Sequence, residues 1–251
     1  MTTDLFHQNQ KKKYKKAIIV GASSGMGKEL CRILVGRDWA VGITGRRENL
    51  LKELQEENPE QIVYRAFDIR DMSKTTKGLR ELISELGGLD LLVLSSGAGF
   101  LNEELDSEPE FRTIDTNVTG FTDIMTFAYL YFEKHPPGHL VGITSIAALR
   151  GNAVAPAYNA SKAYQSNYLE GLRQKSRKAG HRISVTDIRP GFVDTDMAKG
   201  DKMFWVASPQ KAASLIYKAI RRKKRVAYVS RRWRIFAFIL KLLPRWIYEK
   251  I

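Results

Sequence analysis

The tightest constraint on this chain lies in residues 17–27. Ala17-Ile18-Ile19-Val20 is an apolar run rich in β-branched residues, which reads as a short buried strand. Gly21-Ala22-Ser23-Ser24-Gly25-Met26-Gly27 follows with no spacer, and residues 28–35 then carry Leu30, Ile33 and Leu34 at helical spacing. A strand, a glycine-rich turn and a helix start in that order make an anion site. The glycines let the backbone turn sharply and come close to a ligand, and the helix N-terminus offers free N–H groups to a pyrophosphate. A glycine-rich turn alone is a weak signal. Here the flanking elements are the ones the mechanism requires.

The alternation continues along the chain. Residues 40–44 read as a second strand, ending in Gly45-Arg46-Arg47, and residues 48–57 as a helix. Strand three is expected at 62–67, closing on Asp68, and is followed by a helix over 72–86 and the pair Gly87-Gly88. Residues 89–94 form a nearly unbroken apolar run that ends in Ser95-Ser96-Gly97-Ala98-Gly99, as suits a strand covered on both faces. A long helical region over 111–133 contains Asn117 and is broken at His135-Pro136-Pro137-Gly138. Strand five, 139–145, ends in Ser145. A helix over 156–178 leads to strand six, 183–188, which ends at Arg189-Pro190-Gly191. A helix over 212–222 and a strand over 225–229 complete the series. Strands alternating with helices predict an α/β fold. It should be one Rossmann-like, doubly wound parallel sheet of about seven strands with helices on both faces.

At 251 residues and 43% apolar content the chain can bury one large core. The single cysteine, Cys31, excludes an internal disulfide framework and a thiolate-only metal site, and the four histidines are scattered. This usage points to a reducing compartment, most simply the cytosol. The N-terminus has no apolar run that could serve as a signal peptide. The net charge of +14 is uneven. Residues 1–16 hold five Lys and one Asp, for +4, and residues 221–251 hold eleven Lys/Arg and one Glu, for +10, so the body between them is 14 − 4 − 10 = 0. Nucleic acid or an anionic membrane would therefore meet the ends and not the body. A nucleic-acid binder is disfavoured, because the body lacks aromatic platforms interleaved with basic residues.

Two clusters carry chemistry. In Tyr158-Asn159-Ala160-Ser161-Lys162, a phenol and an ammonium lie four residues apart on one helix face. The positive charge is expected to favour the phenolate and pull the phenol down from its ordinary value, into the range useful to a general acid or base. At the end of the second strand, Arg46 and Arg47 stand where a dinucleotide fold meets the adenosine ribose. Arginine there suits a 2′-phosphate, so NADP is expected and not NAD. Arginines that merely open the next helix and face water are the alternative.

Taken in order, these motifs resemble the short-chain dehydrogenase/reductase family in its short, single-domain form, over about residues 16–228. Gly21, Gly25 and Gly27 match the family's Thr-Gly-x-x-x-Gly-x-Gly turn, with Val20 in place of the Thr. Asn117, in Asn117-Val118-Thr119-Gly120, matches the helix Asn of the family's catalytic tetrad, and Ser145 lies thirteen residues before Tyr158. The usual Asn-Asn-Ala-Gly after strand four is replaced by Ser95-Ser96-Gly97-Ala98. The resemblance implies hydride transfer between a nicotinamide and a carbonyl or alcohol carbon. In that scheme Tyr158 exchanges the proton, Lys162 binds the nicotinamide ribose, Ser145 orients the substrate oxygen, and Asn117 holds a water that connects Lys162 to solvent. Cofactor contact is implied for Gly21, Ser23, Ser24, Gly25, Met26 and Gly27, for Arg46 and Arg47, and for Asp68 and Ile69 beside the adenine. It is implied as well for Ser96 and Gly97, for Tyr158 and Lys162, and for Pro190, Gly191, Val193 and Thr195. The family commonly forms homodimers and homotetramers. A catalytically silent NADP sensor or scaffold on the same fold is the alternative, which a complete Asn117, Ser145, Tyr158 and Lys162 set argues against.

The segment after Thr195 forms a lid in this family and here includes Met197, Met203, Phe204 and Trp205. Those residues suit a hydrophobic carbonyl substrate, or else pack onto the domain. The division expected is a basic tail at 1–15, an NADP-binding catalytic domain at 16–230, and a basic, apolar C-terminal segment at 231–251. The apolar run in that last segment, residues 235–243, is too short to span a bilayer, which needs about 20 residues. Its Trp, Phe and Arg content suits either peripheral contact with an anionic membrane or burial against a partner subunit.

Overall fold

The computed structural model describes residues 14–195 and 204–250, so the basic run at 1–13 and the lid residues Met197 and Met203 lie outside the described residues. In chain order the elements are β1 (Lys15–Val20), α1 (Gly25–Val35), β2 (Trp39–Gly45), α2 (Glu48–Glu56), β3 (Ile62–Ala66), α3 (Met72–Leu86) and β4 (Leu91–Leu94). Then come α4 (Ser107–Ile114), a π-helical turn (Asp115–Gly120), α5 (Phe121–Lys134), β5 (Gly138–Ile143), a 3-10 turn (Ile146–Leu149), α6 (Pro156–Lys178) and β6 (Ile183–Pro190). The chain ends with α7 (Pro209–Arg221), β7 (Val226–Val229), α8 (Arg231–Leu242) and the single turn α9 (Arg245–Tyr248).

All seven strands pair in parallel, in the order β3-β2-β1-β4-β5-β6-β7. The period-2 rule explains the layering, because successive side chains of β1 enter opposite faces of the sheet. Ala17 and Ile19 join a core made with Leu30 and Leu34 of α1, Leu51 and Leu54 of α2, and Ile216 and Ile220 of α7. Ile18 and Val20 join a second core with Leu79 and Leu82 of α3, Phe121 and Phe132 of α5, and Leu169 of α6. With apolar helices on both faces, the strands need no polar side, which is why they read as continuous apolar runs. The strand order reverses between β1 and β4, so a crevice opens beyond their carboxyl ends, the usual ligand position in such sheets.

Two expected boundaries differ in a way that bears on function. The first helix starts at Gly25 and not at 28, so Gly25, Met26 and Gly27 form its first turn. The helical region expected as one piece at 111–133 is three segments, with Asn117 inside the π-helical turn. A π-turn leaves no periodicity signal, because one extra residue only shifts the helical register. The C-terminal segment packs onto the body through the buried Trp233 and Ala237 of α8.

The core predicts a stability response. Leu82 is fully buried and would contact any side chain placed at Gly42 of β2. Leu82→Ala should cost about 2–5 kcal/mol, read as a lower urea midpoint at unchanged slope. A midpoint equal to that of the parent protein would contradict the packing described.

Candidate active site

The crevice begins where two backbones meet. Gly21 sits at φ 90, a conformation L side chains rarely adopt. A Cβ placed on it would come within 2.5 Å of Ser96 Oγ and 2.6 Å of Ser96 N. A Cβ on Gly27 would collide with the carbonyl oxygen of Gly21. The turn is tied to β2 by Gly21 N and Ala22 N, each donating to Thr44 O at 2.9 Å. Ser24 stands at the N-cap of α1, yet its side chain caps nothing in the helix. The first N–H groups of α1 therefore keep their donor capacity for a ligand. Thr195 closes over the turn, its Cγ2 about 3.0 Å from where a Cβ on Gly25 would lie.

The Ser24 hydroxyl is turned to another use. Arg47 donates from Nη2 to Ser24 Oγ at 2.6 Å and to Ser23 Oγ at 3.1 Å. One guanidinium and two hydroxyls thus meet at the end of β2. Arg46 is exposed, and its Nη1 lies 4.0 Å from Asp68 Oδ2. Asp68 is engaged mainly by its neighbour Arg70, whose Nη2 and Nε donate to Oδ2 at 2.7 and 3.0 Å. Burial pushes the Asp68 carboxyl up, but the Arg70 hydrogen bonds outweigh it and leave the group below its ordinary value. Ile69 is buried, and its carbonyl packs against Gly120 of the π-turn. The side chain of Met26 rests on the core.

Asn117, Ser145, Tyr158 and Lys162 converge beyond the ends of β4 and β5. Asn117 is fully buried; its Oδ1 accepts from Ala98 N at 2.8 Å, and its Nδ2 donates to Ala98 O at 2.6 Å and to Ser161 Oγ at 3.0 Å. That side chain fastens the segment after β4 to α6. The Asn117 backbone carbonyl accepts from Gln165 Nε2 at 2.9 Å, and Gln165 Oε1 accepts from Lys162 Nζ at 3.0 Å. Gln165 therefore joins Asn117 to Lys162 directly. Lys162 Nζ also lies 5.7 Å from the centre of the Tyr158 ring. The Ser145 hydroxyl accepts from Ala147 N at 3.1 Å, capping the 3-10 turn, and stands near enough to the Tyr158 phenol to favour its charged form.

The electrostatics differ from the sequence expectation. Burial pushes the Tyr158 phenol up, and the Ser145 hydroxyl pulls it partly back. The net shift is upward, not toward the phenolate. Lys162 is only 3% exposed, and burial pulls its ammonium down to about 8, against an upward pull from Asp187. The physical reason is desolvation: in a buried site both groups favour their neutral forms. Asp187 is itself buried, bonded by Thr144 Oγ1 at 2.6 Å and paired with Arg189 at 2.7 Å.

Pro190 and Gly191 carry the chain off β6. Val193 puts its side chain into the core, and its backbone forms a parallel bridge with Ala207. The ring of Trp233, from α8, lies where a Cβ on Gly191 would be. Phe192 and Phe204 pack on that ring at 5.5 and 5.3 Å between centroids, and Trp205 at 5.8 Å. Phe204 and Trp205 thus rest on the C-terminal helix while remaining partly exposed.

Sequence reasoning missed four residues here. Gln165 lies three positions after Lys162 on the same helix face, a spacing that could have flagged it. Gly99 gives the Tyr158 ring room, since a Cβ there would be 2.8 Å from Cδ2; it stood in a quoted motif without a role. Asp187 and Trp233 reach the site only through tertiary contacts, so no local signal marked them. Among the described residues, no group of His, Cys, Asp and Glu is arranged to hold a metal ion.

Comparison with known proteins bears on the family and the fold. Residues 15–203 match the family profile described as short chain dehydrogenase. An uncharacterized oxidoreductase of Myxococcus xanthus is 37% identical over 189 residues, which cover 73% of this chain and 74% of the relative. A probable NADP-dependent dehydrogenase of Haemophilus influenzae is 29% identical over 179 residues, 70% of each chain. Among solved structures, a short chain dehydrogenase from Burkholderia cenocepacia in complex with NADP superposes with a TM-score of 0.82, covering 95% of this chain and 97% of that one at 21% identity. By the profile match and the Myxococcus relative, the chain belongs to the short-chain dehydrogenase family of oxidoreductases.

Proposed function

We propose that this protein is an NADP(H)-dependent oxidoreductase acting between a carbonyl and an alcohol, with a hydrophobic substrate and with Tyr158 as the proton-exchanging group. The observation that carries this reading is the convergence of Tyr158, Ser145 and the Lys162–Gln165–Asn117 chain at the mouth of the crevice. The residues fit a dinucleotide. Gly21 and Gly27 permit close backbone contacts that any Cβ would block, which holds the turn tight, and the uncapped start of α1 suits a pyrophosphate. Arg47 with Ser23 and Ser24 suits the 2′-phosphate that separates NADP from NAD. The Haemophilus relative's name and the NADP bound in the Burkholderia structure point the same way.

When bound, the nicotinamide supplies the hydride. The chain's own groups orient the substrate and manage the proton. Ser145 donates a hydrogen bond to the substrate oxygen, as an oxyanion donor does. The raised value of Tyr158 keeps its phenol protonated at neutral pH, the form needed to give a proton to a developing alkoxide. Lys162 stabilises the phenolate left behind, and Gln165 holds the ammonium in place. The partly exposed Phe192, Phe204 and Trp205 favour an apolar substrate.

Three outcomes test this. Tyr158→Phe should lower kcat for ketone reduction by about 10²–10⁴-fold while leaving NADPH binding, read by fluorescence titration, unchanged; full turnover would refute the role. Arg47→Ala should weaken NADPH binding by about 10–100-fold, the worth of charge-assisted hydrogen bonds, with little effect on NADH. Equal loss for both cofactors would remove the 2′-phosphate assignment. Lys162 deprotonates as pH rises through about 8, so kcat/KM for reduction should fall on the alkaline side from there. A profile flat up to the ordinary lysine value, about 10.4, would show that the ammonium is not needed.

A further inference from the structure

Among the described residues, one face of α8 is left uncovered by the body of the protein. The helix is apolar nearly all round, and its two sides meet different surroundings. Trp233 and Ala237 are buried against the domain, with Phe236 and Leu240 partly covered beside them. On the opposite side Ile235, Phe238, Ile239 and Leu242, with Trp246 of α9, are between 54% and 67% exposed. At 3.6 residues per turn the four α8 residues fall in a stripe about 100° wide. Arg232 borders that stripe on one side and Arg234 and Lys241 on the other, while Arg231 and Arg245 stand at its ends. Residues 231–250 carry six Lys/Arg and one Glu, for +5.

The segment is held firmly in this pose. Arg150, five residues after Ser145, donates to the carbonyls of Leu240 and Leu243 near the C-terminus of α8. Its guanidinium also lies 5.5 Å from the Tyr248 ring centre. Tyr248 Oη donates to Gly151 O at 2.6 Å. The exposed stripe is thus a fixed surface, presented outward by contacts with the loop that follows Ser145.

We propose that this face docks on an anionic lipid membrane. Large apolar side chains in one stripe, aromatic residues among them and cations along its borders, are the composition of a helix lying in the interface plane, with its apolar side in the acyl boundary and its cations among anionic headgroups. No helix among the described residues is long and apolar enough to cross a membrane, so the contact is peripheral. The positive borders distinguish this occupant from a second copy of the chain, which would bring like charges against like. The buried side of the same helix places Trp233 against Gly191, Phe192 and Phe204. Docking therefore sets the apolar mouth of the crevice about one helix diameter, 10–12 Å, from the lipid. A substrate of that bilayer would reach the site without crossing open water, which deepens the hydrophobic-substrate reading proposed above and rests on it.

Flotation of the full chain on phosphatidylglycerol/phosphatidylcholine vesicles tests the docking without any turnover measurement, so it stands or falls apart from the catalytic reading. The chain should float with these vesicles, and much less with phosphatidylcholine alone. Binding should weaken at about 1 M salt, where the Debye length falls to about 3 Å. Phe238→Glu/Ile239→Glu should lower the bound fraction by about tenfold or more, with the melting temperature and NADPH binding kept as signs of an intact fold. Arg234→Glu/Lys241→Glu should lose binding to anionic vesicles only. The proposal is overturned if the parent chain stays at the bottom, if the stripe variant floats as well as the parent, or if charged and neutral vesicles bind alike. It is overturned too if the parent fails to float while the stripe variant turns a dimer into a monomer by light scattering, which would give the face to a second copy.

Discussion

Everything at the mouth of the crevice depends on how closely β1 and its turn approach their neighbours. Gly21 lies against the backbone of Ser96 and Gly27 against the carbonyl of Gly21, leaving no room for a single methyl group. That contact joins the start of α1 to the end of β4 at the point where the strand order reverses. The uncapped N–H groups of α1, the Arg47–Ser23–Ser24 contact and the segment holding Asn117 all take their positions from it. Side chains can be exchanged around such a point, but the backbone separation cannot grow without moving the helix away from the sheet.

The second dependency is electrostatic. Lys162 is buried, and among the described residues its hydrogen-bond partners are neutral, Gln165 and the more distant Ile143 carbonyl at 3.4 Å. Asp187 stabilises the ammonium across space but is itself committed to Arg189 and Thr144. The lysine is therefore held near the point at which it can lose its proton, and the phenol beside it is held protonated. The same burial that disfavours charge strengthens any charge–dipole contact formed there.

The C-terminal helix links this chemistry to the outer surface. Trp233 completes an aromatic cluster with Phe192, Phe204 and Phe236, while Arg150 ties the other end of α8 to the loop beyond Ser145. The helix is at once a wall of the crevice and the carrier of an exposed apolar stripe. Movement of one side would be felt by the other, because the packed ring of Trp233 has no space to slide without displacing Phe192 or Gly191.

What the sequence determined alone was whatever local rules encode. The β-branched runs such as 17–20, the helical spacing of Leu30, Ile33 and Leu34, the glycines of the turn and the four-residue step from Tyr158 to Lys162 each report a backbone state or a shared face. From them the parallel sheet, its two helical layers and the shared helix face of Tyr158 and Lys162 could be read before any coordinates, whereas Ser145 and Asn117 were marked only by the family resemblance. Only the tertiary structure decided the rest. The π-turn at Asn117 has no period of its own, and Gln165 becomes a link only because the Asn117 carbonyl lies above it. The direction of the Tyr158 shift depends on how much water the fold removes, and α8, apolar on both sides, could not reveal which side the domain would cover. Burial and long-range contact are properties of the packed chain, and no stretch of residues specifies them by itself.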